Sequence, residues 1–427
     1  MSMPSDNSLD PATLLPRVED FFLARQPIIN RDEALIAYEL LFRRASATLA
    51  DVTDDLSATA SVIAHATELG MENVIGASLG FLNIDATVLL SDFVSFLPPQ
   101  KVVLEILETV DITPIVIARV AELRMSGYRF ALDDVVAFTP AIQQLLPYIS
   151  IIKIDIAGMP RETVADLFKR FKAEGKTLLA EKVETLDEYN YCRSLGFDYF
   201  QGYYFAKPVI MAGKKLAPSQ MVILRMMTQL DADADTIELE RSIKHDAALG
   251  LTLLRLVNTP AVGVVRRIES LKQALNVLGR RQLYRWLQIM LYAEPDKGRR
   301  TISPLLLMAT SRGKLLELLM QKLQPGKNSR SDLAFTVGIM SLMDTLFGLP
   351  MAEILQQMPV AVEVRAALLE REGLFGDMLR LVECTERAEE SAPLLVEALE
   401  KLNLTSDDLY EVQTAAYEWS DSIAINA

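Results

Sequence analysis

The sequence predicts a TIM-like α/β barrel whose first two strands run antiparallel, followed by an all-α helical domain. Two observations lead there. In the first half, single polar residues end or interrupt short apolar runs at positions 39, 83, 105, 133, 153, 181 and 201. After the first step these intervals are about the length of one strand plus one returning helix. Beyond Pro208 the alternation stops, and leucine and methionine recur at helical spacing with few β-branched runs.

Residues 1 to about 18 carry Pro4, Pro11 and Pro16 and little apolar periodicity, which predicts a flexible leader. No basic region leads into an apolar core, so a signal peptide is not expected. Phe22 to Ile29 reads as a strand, Asn30-Arg31-Asp32-Glu33 as a turn, and Leu35 to Tyr38 as a second strand closed by Glu39. Later runs bring Asn83 after Phe81-Leu82, Glu105 after Val102-Val103-Leu104, and Asp133-Asp134 after Phe130-Ala131-Leu132. Lys153 lies within Ile151-Ile152-Lys153-Ile154-Asp155, Glu181 follows Thr177 to Ala180, and Gln201 follows Tyr199-Phe200. Helical segments are expected near 58–70, 86–96, 112–126, 139–147, 161–174 and 187–195, with Gly70, Gly127, Gly175 and Gly196 placed as left-handed caps.

In the second half, Ser219 can cap a helix from Gln220, and Pro304 after Ser303 suits a first helical turn. Thr405 and Ser406 precede Asp407-Asp408 and a last amphipathic helix. The expected division is a leader over 1–18, a barrel over 19–211, a helical domain over 212–402, and a C-terminal helix and tail over 403–427.

The 427 residues are long enough for two domains with sizeable cores. A formal charge of −14 argues against non-specific nucleic-acid binding, so Arg266-Arg267, Arg280-Arg281 and Arg299-Arg300 read as solvated helix ends or loops. The most apolar stretch, 335–355, is interrupted by Asp344 and Pro350 and predicts buried helices, not a membrane span. A cytoplasmic protein is expected. Cys192 and Cys384 offer neither a disulfide framework nor a metal-ligand spacing. His245-Asp246 resembles a metal-hydrolase dyad, but His65 is the only other histidine, so Asp246 is read as a helix cap.

Parallel barrel strands converge at their carboxyl ends, so the polar residues named above should share one pocket. Burying one charge without a partner is costly, and several in register imply a common use. Acidic and amide oxygens suit Mg²⁺ or Mn²⁺. Adjacent carboxylates such as Asp133 and Asp134 suit two ions about 3.5–4 Å apart. Lys153 and Glu181 would orient or deprotonate a water, and Arg43 would neutralise a substrate phosphate. Phosphodiester hydrolysis is the reaction class this set suggests.

Residues 20–210 resemble the EAL domain, a barrel phosphodiesterase acting on the bacterial second messenger cyclic di-GMP. The motifs are Gln26-Pro27-Ile28, Glu39-Leu40-Leu41-Phe42-Arg43, Asn83, Glu105 with Glu108, Asp133-Asp134, Lys153-Ile154-Asp155, Ala180 to Thr185, and Gln201-Gly202-Tyr203 with Pro208. The resemblance implies that Glu39, Asn83, Glu105, Asp133 and Asp134 hold two Mg²⁺ or Mn²⁺ ions. It also implies that Lys153 and Glu181 handle the attacking water, that Gln26, Arg43 and Gln201 contact the dinucleotide, and that Glu108 and Glu184 support the site. A barrel-mediated homodimer is implied by the same analogy.

Three positions depart from the family pattern. Glu39-Leu40-Leu41 stands for Glu-Ala-Leu, Val135-Val136 replaces a glycine-containing loop, and Lys182 replaces a glycine beside Glu181. Residues 212–400 resemble the HDOD domain, through Ile243 to Asp246, Leu251 to Asn258, Ile268 to Gly279 and Arg312 to Glu317. That resemblance implies an interaction or relay module for an unidentified regulatory protein. Two readings stand: a cyclic di-GMP hydrolase, or an inactive receptor or scaffold.

Overall fold

The computed structural model describes residues 21–44, 74–204, 218–244, 253–254, 268, 270–292, 303–356, 358, 360–386 and 388–426. The expected leader, the 58–70 helix with His65 and Gly70, the 211–212 boundary, His245-Asp246, Arg266-Arg267 and Arg299-Arg300 lie outside them, as does the Arg43 side chain.

Eight strands close a barrel in sequence order: β1 (Phe21–Asn30), β2 (Leu35–Arg44), β3 (Leu79–Ile84), β4 (Val102–Ile106), β5 (Arg129–Leu132), β6 (Ile151–Asp155), β7 (Thr177–Glu181) and β8 (Tyr199–Gln201). β1 is antiparallel to both β2 and β8, and every other pairing is parallel. The hairpin turns on Asn30, whose Oδ1 accepts from the N–H groups of Asp32 and Ala34 at 2.9 and 3.0 Å. One boundary differs from expectation. Glu39 does not end β2, because pairing with β1 continues from Ile28↔Ala37 out to Phe21↔Arg44.

Helices α1 (Ala86–Leu90), α2 (Pro114–Met125), α3 (Pro140–Leu145), α4 (Arg161–Ala173) and α5 (Leu186–Leu195) return the chain outside the barrel. Side chains cap the starts of four of them, and α4 begins after Pro160 without such a cap. Asp85, Thr113 and Thr139 each accept a backbone N–H, and Thr185 forms a reciprocal capping box with Glu188. Cores sit on both sides of the strand wall. An outer one packs helices on strands, and an inner one holds Ile28, Ala37, Phe81, Val103, Ala131, Ile151 and Leu179 inside the barrel.

Eleven further helices follow among the described residues: α6 (Pro218–Asp231), α7 (Thr236–Lys244), α8 (Leu271–Met290), α9 (Pro304–Leu323), α10 (Asn328–Met340), α11 (Met343–Phe347), α12 (Met351–Gln356), α13 (Val362–Glu370), α14 (Gly373–Glu386), α15 (Ala388–Leu402) and α16 (Ser406–Asn426). The leucine and methionine positions form one continuous core, including Met226, Met227, Met340 and Met343. α9 and α10 approach so closely that a Cβ at Gly338 would lie 2.5 Å from the Arg312 carbonyl oxygen. Only glycine fits there.

Two buried arginines join this core to the barrel. Arg25 of β1 donates to Asp421 of α16 at 3.1 and 3.3 Å and lies between the rings of Tyr38 and Tyr417, 4.2 and 3.8 Å from their centroids. Arg312 of α9 donates to both Glu386 oxygens at 2.7 and 2.6 Å, to Ser341 at 2.9 Å, and to the hydroxyl of Tyr203 just past β8 at 2.8 Å.

Candidate active site at the barrel mouth

Strand parity builds the site. Successive side chains on a strand face opposite sides, so residues two apart share a face. Two positions beyond the inner-core residues Ala37, Phe81, Val103, Ala131, Ile151 and Leu179 come Glu39, Asn83, Glu105, Asp133, Lys153 and Glu181. Gln201 stands in the same relation to Tyr199. β1 runs the other way, so Gln26 lies two positions before Ile28, and the register sets it beside Glu39. The polar residues thus form the next layer inside the barrel, above an apolar floor.

That layer closes on one cation. The Lys153 ammonium lies 2.6 Å from Glu105, 2.7 Å from Asp133, 2.8 Å from Glu181 and 3.2 Å from Glu39. Lys153 and Glu105 are fully buried, and Glu39, Glu181 and Gln201 nearly so. The amides complete the ring: Asn83 donates to Glu39 at 3.0 Å, and Gln201 donates to Glu39 at 2.5 Å and to Gln26 at 2.8 Å.

Four carboxylates around one ammonium leave three negative charges in a desolvated place. Burial and mutual repulsion therefore hold Glu105 well above the ordinary carboxylate value and push Glu181 up to about 8. Asp133 is raised for the same reasons. At Glu39 burial is outweighed by Lys153 and by hydrogen bonds from Gln201 and Asn83, and the carboxyl is lowered. Burial works against the charge on Lys153, yet its four acidic neighbours hold it well above the usual amine value.

Among the described residues, no three acidic, histidine or cysteine side chains surround a free point as a ready cage; the ammonium gathers the carboxylates instead. The donor set nevertheless suits a hard divalent cation. It is all oxygen and carries surplus negative charge. Asn83 Oδ1, Glu105 Oε2, Glu181 Oε2 and Gln201 Oε1 are buried acceptors without a hydrogen-bond partner.

Asp134 is not part of this ring. It lies one residue past Asp133, on the other parity, and its backbone turns into the left-handed region at φ 44°. There it meets Lys182, whose ammonium lies 2.9 Å from Asp134 and 2.8 Å from Asp155. Lys182 also has a left-handed backbone, φ 53°, a conformation that favours glycine. The valine pair does not take that conformation. Val135 is buried and its N–H donates to the Lys153 carbonyl at 2.9 Å, while Val136 is exposed.

Glu108 and Glu184 lie at exposed positions beyond β4 and β7. Sequence reasoning assigned no role to Asp155, although it lies two residues beyond Lys153 on the same strand. That parity was the available signal. Gly202 holds Gln201 in register: at φ 145° its Cβ would fall 2.2 Å from the Val183 carbonyl oxygen, and Val183 N–H donates to the Gln201 carbonyl at 3.0 Å.

A closed barrel with an acidic mouth, continued by a helical core, describes a known two-domain class. The EAL domain family matches residues 8–208 and the HDOD domain family residues 216–376. The chain belongs to the EAL–HDOD family. It is 32% identical over 412 residues to the uncharacterized protein YuxH of Bacillus subtilis, covering 94% of this chain and 98% of that protein. It is 31% identical over 409 residues to the cyclic di-GMP phosphodiesterase CdgJ of Vibrio cholerae, covering 94% and 93%. A crystal structure of an EAL domain protein from Listeria monocytogenes overlaps 44% of this chain and 87% of that one, at 23% identity and a TM-score of 0.35. Among the described residues no helix is long and apolar enough to cross a membrane.

Proposed function

We propose that this protein is a cytoplasmic signalling phosphodiesterase that opens cyclic di-GMP to the linear dinucleotide with the help of Mg²⁺ or Mn²⁺. The observation that carries the reading is the surplus of buried acceptor oxygens around Lys153, which a divalent cation would satisfy. The named activity of the Vibrio cholerae relative supports the choice of substrate.

In this reading Glu39, Asn83, Glu105 and Asp133 would hold the cation, with Asp134 the fifth residue that the family resemblance implies as a ligand. A divalent cation bound there would supply Lewis-acid polarisation of the phosphoryl oxygen and ease deprotonation of a water. Glu181, raised by burial and by its acidic neighbours, takes the proton from the attacking water. Lys153 keeps the carboxylates gathered and faces the charge that develops on the phosphate. Gln26 and Gln201, already hydrogen-bonded to one another, orient the dinucleotide together with Arg43. Glu108 and Glu184 act from the rim.

The helical domain, taken as 212–402 with the 403–427 helix behind it, serves as the docking and relay module for a regulatory protein. A second reading, a receptor that binds without turnover, is favoured by one observation: Asp134 is engaged by Lys182.

Purified protein incubated with cyclic di-GMP and Mn²⁺ is expected to yield linear dinucleotide, and Glu39→Ala and Glu181→Ala to reduce the rate by about 10²- to 10⁴-fold. Metal-dependent binding in calorimetry without turnover above those variants would establish the receptor instead. Absence of binding would leave a scaffold.

A further inference from the structure

We propose that Lys182 is a built-in cation that replaces one of the two ions the barrel mouth would otherwise take, so that the chain binds a single divalent ion. The inference rests on the metal-dependent reading above and concerns how many ions the site holds.

Two acidic groups lie side by side at the mouth, and they differ in kind. Around Lys153, four carboxylates face one fully buried ammonium, and several acceptor oxygens remain without partners. That group has more negative than positive charge. Around Lys182, two carboxylates from the ends of adjacent strands face one ammonium at 2.9 and 2.8 Å. Asp155 is used on both oxygens, since Oδ1 accepts from the Ala157 N–H at 2.8 Å and Oδ2 from Lys182.

The backbone is shaped for this contact. Asp134 and Lys182 both hold left-handed conformations, at φ 44° and 53°, a strained backbone for a side chain with a Cβ. Turned this way, the two side chains meet across the ends of β5 and β7, with Asp155 of β6 between them. A divalent ion shared by Asp134 and Asp155 would stand where the ammonium now is, and a cation only a few ångströms away would repel it. The ion therefore goes to the Lys153 group, and the Asp134–Asp155 position is closed by the protein itself.

Counting Mn²⁺ by equilibrium dialysis, with electron paramagnetic resonance on the same samples, reads this without any activity assay. The wild-type chain is expected to hold one Mn²⁺ with the spectrum of an isolated ion. Lys182→Gly, which suits the left-handed backbone, is expected to hold two with a spin-coupled spectrum. Lys182→Gly with Asp134→Asn is expected to return to one. Lys182→Met, which keeps the side-chain bulk without the charge, separates loss of the cation from loss of packing and should also admit a second ion. An unchanged thermal transition establishes that each variant is folded. Two ions in the wild type, or one in wild type and both single variants alike, would overturn the inference and leave the metal-dependent reading standing. No ion in any of them would overturn that reading as well.

Discussion

Glu105 buries its whole side chain, touches one cation, and leaves Oε2 without a partner, so in the ion-free protein it is a net cost. Glu105→Gln removes one negative charge from the crowded ring. It is expected to stabilise the metal-free protein by about 1–2 kcal/mol while abolishing the rise in melting temperature that Mn²⁺ produces. Thermal melts with chelator and with Mn²⁺ check both halves; a variant less stable in chelator would mean that the carboxylate is fully compensated. Most of this ring was legible in the sequence, because period-2 alternation converts residue number into barrel face, and Glu39, Glu105, Lys153 and Glu181 obey it. Asp134 was not. Its side-chain direction depends on a left-handed turn at a non-glycine residue and on a lysine 48 positions away, neither of which leaves a local pattern.

Strands and helices followed the sequence closely where apolar runs and caps coincide, as at Thr139-Pro140 and in the Thr185–Glu188 box. β2 overran its expected end because its register is set by β1, a partner whose reach cannot be read from β2 alone. The last helix, α16, shows what a cap contributes. Asp408 accepts from the Thr405 N–H at 2.9 Å and pairs with Lys322 at 2.7 Å, and these contacts, the lysine first, lower its carboxyl to about 2. A carboxylate lowered on folding adds stability above its unfolded value and loses it as pH falls. The contribution of Asp408 is therefore complete above about pH 4 and disappears toward pH 2. Asp408→Asn should flatten the acid limb of unfolding in that window and cost about 1 kcal/mol or less near neutrality, since the pair is largely solvent-screened. Circular dichroism against pH reads the difference.

At the scale of the molecule, both domains were legible as composition: alternating runs give way to leucine-rich helices. The joints between them were not. Arg25–Asp421 spans 396 positions and Arg312–Tyr203 spans 109, and such contacts have no period to betray them. Their placement ties the helical core to the site, since Arg25 adjoins Gln26 and Tyr203 lies two residues past Gln201. Asp421→Ala leaves the Arg25 guanidinium buried with its rings and the Val74 carbonyl but without its counter-charge, and is expected to cost about 3 kcal/mol. Calorimetry should then resolve separate barrel and helical transitions; a single unshifted transition would show that the joint contributes nothing. The claim on which the rest depends is hydrolysis at the barrel mouth. Its most direct test is to run the reaction in ¹⁸O-labelled water with Mn²⁺ and weigh the product. Linear dinucleotide carrying a single labelled oxygen on the freed phosphate, absent with Glu181→Ala, is the expected result. Cyclic di-GMP recovered intact from the wild-type protein, or linear product without label, would contradict it.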